Sequence, residues 1–514
     1  MSSIQNRYFI ILITLLISYG VVVRLVPLGN EESMLQSISE DGYLMMTVAR
    51  NIALGLGMTT SNGTIPTNGV QPLTTFLWSG VYWLVGGDKV QGVLGIILIQ
   101  FIIAALAAVL LWQIGIRVLS SNPAKHYIVA LAIAMWYASP VTLKHTNNGL
   151  ETGLYVLAVL GIVLLVVTLT RKWSLRDAVL VGFLLGITFW IRNDAVFLIL
   201  AVCLMQLFLE TWQRHELWQR FIQVNVIGMT AVLIALPWII YNKVNFGAIM
   251  PISGQSESLN VQFGENLSLL PSVLIEYFFM FPLPNSLQRQ LLIILPSTIL
   301  LIAIAIGLWQ LWLRLHSPTE RQLFVLVGLY LLGLCGFYGL YFGAYFFLER
   351  YLFPISPFLA LLWAIVVVWA WLKVPWRPIR YGISILFILT MIGVTGYLHI
   401  KSYNKHFQLV NWVNQHVSEA EWIASTQTGY LGYFHDRTIN LDGKVNPEAL
   451  IARQQGGDKL AQYLVNKNID SQRIEYIIDW VFLINRIEKY PLVNQNFHLI
   501  VNDPQQNLAV LKRQ

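Results

Sequence analysis

The sequence predicts an all-α polytopic membrane domain of about eleven transmembrane helices over residues 1–401, followed by a small soluble α/β domain over 402–514. Three observations predict it. Hydrophobic residues make up 56% of the 514 and charged residues only 11%, against about a quarter charged in soluble globular chains. Apolar runs of bilayer-crossing length recur from residue 8 to residue 399. From residue 402 the composition turns polar, and helix-like and strand-like stretches alternate.

The apolar runs are 8–28, 91–116, 127–143, 150–170, 178–191, 195–211, 222–240, 290–313, 322–345, 351–372 and 381–399. The first is too long for a signal-peptide core, and 20–29 holds no small-residue cleavage pattern, so it reads as an uncleaved anchor. Stretches 72–86 and 267–283 are apolar but broken by Pro72, Gly86, Pro271, Glu276 and Pro282. They read as interfacial or re-entrant helices. In the C-terminal segment, 405–417 and 447–466 read as helices, and 422–426, 438–442, 474–479, 497–501 and 507–511 as strands.

Loop charges give an orientation. With the N-terminus inside, the inner loops hold Arg7, Arg117, Lys125, Arg171, Lys172, Arg176, Arg214, Arg220, Arg314, Arg321, Lys373, Arg377 and Arg380. The outer loops, longer in total, hold Arg50, Lys89, Lys144, Arg192, Lys243, Arg289 and Arg350. This bias follows the positive-inside rule and puts the C-terminal domain outside. Glu40, Asp41, Glu151, Arg192, Asp194, Glu349 and Arg350 then share the outer side, from four different loops.

Composition also excludes some classes. The net charge of +7 is scattered over short loops, so no basic stripe marks a nucleic-acid partner. Cys203 and Cys335, the two cysteines, lie in apolar runs and support neither a disulfide framework nor a cysteine metal site. His145, His399, His406, His416 and His435 lack the spacing of a zinc ligand set.

The first outer loop, 29–90, is the most informative stretch. Glu40 and Asp41 follow the first helix, and Tyr43, Val48 and Ile52 recur at helical spacing around Arg50 and Asn51. Gly55, Gly57, Gly63, Gly69, Pro66 and Pro72 break the rest into turns. The plain reading of the acidic pair is a helix cap. Farther along stand Asn148-Gly149-Leu150-Glu151-Thr152, Trp190-Ile191-Arg192-Asn193-Asp194, Tyr241-Asn242 with Phe246-Gly247 and Pro251, and Glu349-Arg350-Tyr351-Leu352-Phe353-Pro354. Gly429-Tyr430-Leu431-Gly432-Tyr433 and Asn440-Leu441-Asp442-Gly443 complete the set.

Taken in order, these segments resemble the GT-C class of membrane glycosyltransferases. They are most similar to bacterial relatives of the protein O-mannosyltransferases and of the aminoarabinose transferase of lipid A. Asp41 stands nine positions before Arg50 of a V-A-R-N segment, where the class carries its catalytic base. The resemblance implies sugar transfer from a polyprenyl-phosphate donor to an acceptor hydroxyl, with inversion, at the outer face of a bacterial inner membrane. The acceptor is a glycan, lipid or protein, and membrane lipid surrounds the chain.

Such a displacement needs a carboxylate to take the hydroxyl proton and cations to meet the charge growing on the phosphate. Asp41 is the expected base, with Glu40 orienting it or raising its pKa. Glu151 and Asn148 are expected beside the acceptor or a metal; for Glu151 the bland alternative is an acid at a helix N-terminus. Arg350 is expected on the donor phosphate, as a fork of donors; the alternatives are an ion pair with Glu349 or an interfacial arginine. Arg192 and Asp194, between two short runs, sit at a depth where ionisable groups are functional suspects, or simply pair with each other. Lys243 is a weaker phosphate candidate, and Tyr43, Arg50, Glu349 and Tyr351 support the site. Some members of the class bind a divalent ion near the acidic pair, and the resemblance leaves that open here. The C-terminal domain, with Gln427, Thr428 and Asp442 in turns, is expected to close over the acceptor and help choose it.

Two other classes compete. A transporter or lipid flippase places ionisable groups near the bilayer midplane on repeated, broken helices; here no hydropathy repeat is visible and the acids gather on one side. A non-catalytic membrane scaffold requires that Asp41 be dispensable.

Overall fold

A computed structural model describes residues 3–169, 173–208, 214–259, 261–315, 317–343, 345–373, 377–402 and 406–514. Each expected apolar run is mainly helix where it is described, with Ser139 inside 127–143 and the run ends 150–151, 169, 290 and 341–343 lying off the helices. Residues 170, 209–211 and 344 of three runs, residue 405 of the expected helix 405–417, and Arg171 and Lys172 of the loop charges lie outside the described residues.

Among the described residues six helices are long and apolar enough to cross a membrane: Arg7–Gly29, Lys89–Val118, Glu216–Phe246, Leu291–Leu313, Pro318–Leu340 and Leu348–Trp371. A pair, Lys125–Ala138 and Pro140–Thr146, bent by 60°, has the length and composition of a broken span or a re-entrant loop. The bend has a local cause. Ser139 is extended, its hydroxyl accepts from the amides of Val141 and Thr142, and Pro140 starts a new helix. Thr152–Thr168 and Leu175–Ile191 have 17 residues each. These fall short of the roughly 20 residues of a full crossing. Run 381–399 lies on the 26-residue helix Arg377–Ser402. Among the described residues, length and composition by themselves support six spans, or seven if the bent pair is one span, of the eleven expected. Stretches 72–86 and 267–283 hold the helices Pro72–Leu84 and Leu270–Phe279.

One buried cation braces the bend. Arg24 is fully buried, and its guanidinium donates to the carbonyls of Tyr137 (2.6 Å) and Gly20 (3.2 Å) and lies 4.0 Å from the Tyr137 ring centroid. The chain leaving the bent pair leads directly into Asn148 and Glu151.

The C-terminal segment forms one mixed sheet in the strand order Thr438–Asn440, Trp422–Ser425, Gln472–Asp479, Leu508–Arg513, Phe497–Asp503, with the two-residue strand Asn468–Ile469 beside Gln472–Asp479. The first three are parallel and the rest antiparallel. The single helix expected over 447–466 is two, Pro447–Gln454 and Gly457–Asn466. Gly456, at φ 109°, breaks them, a conformation open to glycine. Short helices at Gly429–Phe434, Val481–Ile487 and Pro491–Asn496 were not foreseen from the sequence.

This segment is not free of the rest. One buried apolar cluster joins Tyr43, Trp78, Tyr82 and Ile96 to Leu409, Val413, Ile423, Tyr430 and Tyr433. Tyr43 is its centre, fully buried, with Tyr430 and Tyr433 ring centroids each 4.7 Å away. The hydroxyls of Tyr82 and Tyr433 share a hydrogen bond of 2.7 Å. At the rim, Asp436 binds Arg50 (3.3 Å) and Lys89 (3.1 Å).

Tyr43→Ala removes a fully buried ring, a loss of about 3–5 kcal/mol. The expected outcome in thermal unfolding of the full chain in detergent is a separate, earlier transition for the C-terminal segment. A single unshifted transition would show that the tyrosine cluster does not hold the two parts together.

Candidate functional site

The site is built from the start of the Glu40–Ala53 helix. Ser39 caps it: the hydroxyl accepts from the Gly42 amide at 3.1 Å. The same hydroxyl and the Ser39 amide donate to the Asn148 carbonyl at 2.8 and 3.0 Å. Gly42 approaches that carbonyl so closely that a Cβ there would lie 2.3 Å from the oxygen. Asn148 is itself fixed, since its side-chain oxygen accepts from the Leu150 amide at 3.1 Å. Gln100 and Trp78 hold Gly149 by side-chain hydrogen bonds of 3.1 and 3.0 Å. Asn148 thus serves the site through its backbone.

Glu40 and Asp41 leave this helix in different directions. Glu40 turns to the C-terminal segment, where its carboxylate accepts from the amides of Gly429 and Tyr430, the latter at 3.0 Å. His406 lies 3.7 Å from it. Gly429 is required here, because a Cβ would lie 1.9 Å from the Glu40 carbonyl oxygen. Burial pushes the Glu40 carboxyl up to about 8, against the two amides, which favour the charged form; neighbouring Asp41 and Asp479 add to the rise.

Asp41 turns to cations. Arg350 donates to it at 2.7 Å across 309 residues of chain. The Lys444 ammonium lies 3.9 Å from its other oxygen and 2.8 Å from Glu257. Burial alone would raise the Asp41 carboxyl; Lys444 and then Arg350 outweigh it and hold the group below the usual aspartate value. Asp41 is therefore ionised at neutral pH.

Arg350 stands on the short helix Leu348–Leu352. Its guanidinium also reaches the Tyr351 hydroxyl (3.4 Å) and covers the Phe347 ring at 4.7 Å. Its Nε is buried with no hydrogen-bond partner among the described residues. Arg192 lies behind it, 1% exposed, and donates to the Arg350 carbonyl at 3.4 Å. Arg192 is flanked by the rings of Tyr155 and Tyr351 at 4.8 and 4.9 Å, pairs with Asp194, and lies 3.8 Å from Glu151. Tyr338 donates to Asp194 at 2.8 Å.

The structure thus joins Asp41, Arg350, Tyr351, Arg192, Asp194 and Glu151 into one connected group. Other expected residues stand elsewhere. Lys243 is exposed and donates to the Gly247 carbonyl at 2.9 Å. Arg50 and Tyr43 serve the junction with the C-terminal segment. Glu349 faces away from Arg350 and binds Lys144 and, at 2.8 Å, Gln288. Successive residues on a helix point about 100° apart, which separates Glu349 from its neighbour. Sequence reasoning did not single out Lys444, Glu257 or His406 as site residues. The one available signal was the Asp442-Gly443 turn directly before Lys444.

The donors at the acidic pair do not suit a divalent ion. Asp41 is flanked by two cations, and Glu40 is occupied by two amides. Among the described residues no group of three or more His, Cys, Asp or Glu is placed to hold a metal.

Residues 396–509 match a family model described as a domain of unknown function (DUF8728). No curated protein matches the sequence. Solved structures do match the fold. ArnT from Cupriavidus metallidurans bound to undecaprenyl phosphate aligns at TM-score 0.58 and 12% identity, over 97% of each chain. The oligosaccharyltransferase of Archaeoglobus fulgidus in the apo form aligns at TM-score 0.56 and 12% identity, over 97% of this chain and 74% of that one. The oligosaccharyltransferase AglB of the same organism, in complex with an inhibitory peptide and a dolichol-phosphate, aligns at TM-score 0.52 and 12% identity, over 100% of this chain and 75% of that one. These neighbours are GT-C glycosyltransferases, and this chain shares their fold.

The two carboxylates give docking of the C-terminal segment opposite pH dependences. Glu40 has a raised folded value, so its contribution is complete below the ordinary glutamate value of about 4.3. That contribution is lost as pH rises through about 8. Asp41 has a depressed folded value; its contribution is present above about 3.9 and is lost only at more acid pH. The melting temperature of the wild type is therefore expected to fall between pH 7 and 9, and that of Glu40→Gln to stay level. Parallel profiles would assign the alkaline loss to other groups.

Proposed function

We propose that the chain is an inverting glycosyltransferase that moves a sugar from a polyprenyl-phosphate donor to an acceptor hydroxyl at the outer face of the membrane. The observation that carries this reading is the ion pair of Asp41 and Arg350, 2.7 Å long, on a GT-C fold. The loop charge bias supports the outer face. Two neighbours of the same fold hold a polyprenyl phosphate in their solved structures, ArnT an undecaprenyl phosphate and AglB a dolichol-phosphate.

In the reaction, the acceptor oxygen attacks the anomeric carbon and its proton passes to the Asp41 carboxylate. The bond from that carbon to the phosphate oxygen breaks, and the electron pair leaves with the phosphate. A phosphodiester with one negative charge becomes a monoester with two. Arg350, tied to Asp41 at rest, turns its donors, including the unpartnered Nε, to the departing oxygens. Arg192 holds the Arg350 backbone from behind and positions it. Glu151, beneath Arg192, and the 147–151 loop border the acceptor. Residues 1–401 form the catalytic membrane part, and 402–514 the outer domain that covers the acceptor.

The test is transfer of radiolabelled sugar from a panel of polyprenyl-phosphate sugars, with host membrane extract as acceptor. Asp41→Asn is expected to lower transfer by a hundredfold or more, the order of a lost general base. Equal transfer by both proteins would remove Asp41 from the chemistry. Arg350→Ala is expected to lower kcat/KM on the order of a hundredfold. Arg350→Lys should recover only part, because a lysine cannot reproduce the planar fork.

A further inference from the structure

Lys444 belongs to the C-terminal segment, yet its ammonium lies at the centre of the site. It is 3.9 Å from Asp41, 2.8 Å from Glu257, and 4.6 Å from the Phe347 ring centroid. Arg350 lies 4.7 Å from the same ring and 2.7 Å from the same aspartate. Two cations from distant parts of the chain thus share one carboxylate and one aromatic ring.

The backbone at Lys444 is fixed on several sides. Gly443 takes φ 77°, and a Cβ there would lie 2.8 Å from Leu450. The Lys444 amide donates to the Asp442 side chain at 2.8 Å. The Lys444 carbonyl presses on the first outer loop so closely that a Cβ on Gly69 would lie 1.8 Å from it. The ammonium itself is less committed. It has three N–H donors, and among the described residues only Glu257 stands at hydrogen-bond distance. A cation held rigidly at its root, with donors to spare at its tip, is built to meet an anion.

We infer that Lys444 is a second ligand of the donor phosphate, delivered by the C-terminal domain and acting with Arg350. This rests on the transfer reaction proposed above. At rest, Asp41 occupies both cations. When Asp41 takes the acceptor proton it loses its charge, and the leaving phosphate gains one. The two cations pass from one anion to the other while the net charge of the group stays constant. Glu257 keeps the ammonium ionised and aimed between these steps.

The experiment measures binding of undecaprenyl phosphate, with undecaprenol as the neutral control, to the full-length protein in detergent by intrinsic fluorescence. Lys444→Met keeps the aliphatic stem on Phe347 and removes the charge. It is expected to weaken undecaprenyl phosphate binding about tenfold or more, the order of a lost charge-assisted hydrogen bond, and to leave undecaprenol binding unchanged. Lys444→Arg should retain most of the affinity. Glu257→Gln frees the ammonium and should strengthen phosphate binding. Wild-type affinity in Lys444→Met would overturn the inference while leaving the transfer reaction standing on Asp41→Asn. An equal loss in Glu257→Gln and Lys444→Met would also overturn it, making the pair a docking clamp. A wild type that neither prefers the phosphate nor transfers sugar would remove the reaction and the inference together.

Discussion

Two consecutive carboxylates that cannot face the same way set the order of the site. Adjacent residues on a helix diverge by about 100°, so Glu40 and Asp41 reach different neighbours from one helix start. Glu40 reaches the amides of Gly429 and Tyr430, and Asp41 reaches Arg350 and Lys444. One acid joins the parts of the chain and the other is left to the two cations. The division holds only because the helix start is itself immobile, tied by Ser39 and Gly42 to the Asn148 carbonyl.

Behind this pair lies a buried ionic layer of Arg192, Asp194, Glu151 and their tyrosines. Burying charges costs desolvation, and such pairs add little net stability over apolar packing. Their return is position. Arg192 meets ionic or aromatic partners on several sides and still reaches the Arg350 carbonyl. The guanidinium above it is held at its backbone and left partly open at its tip. Arg24 works the same way on a larger scale, fixing the bend whose far end becomes the Asn148 loop.

The apolar runs were legible because a bilayer imposes one length scale on sequence. Their number of crossings was less so, since runs such as 178–191 read as spans yet the helix there, Leu175–Ile191, has only 17 residues. The strands of the C-terminal sheet were legible from β-branched and aromatic runs, whereas the break at Gly456 was hidden inside one helical pattern. In the site, Asp41 and Arg350 stood out by type and by the segments around them. Lys444 did not, because a lysine after a turn looks like any solvated residue until Gly69, some 370 positions earlier, is seen against it. Tyr43 showed helical spacing in the sequence, but nothing local named Tyr430 and Tyr433 as its partners. Adjacency misled at Glu349, which pairs with Lys144 and leaves Arg350 to Asp41.

The contact between Glu40 and Tyr430 spans 390 residues, and this has a consequence for the order of events during synthesis. At roughly 5–20 residues per second, the acidic pair waits roughly 20–80 s on a growing chain before the residues that enclose it exist. Until then Tyr43 and its neighbours present an uncovered aromatic face, and Asp41 has no Lys444. A ribosome that stops early releases a membrane-embedded product with the acidic pair uncovered and its sticky face open to chaperones and proteases. Placing a clamp and a cation some 390 residues after the acidic pair makes synthesis of the C-terminal segment the last step in assembling the site.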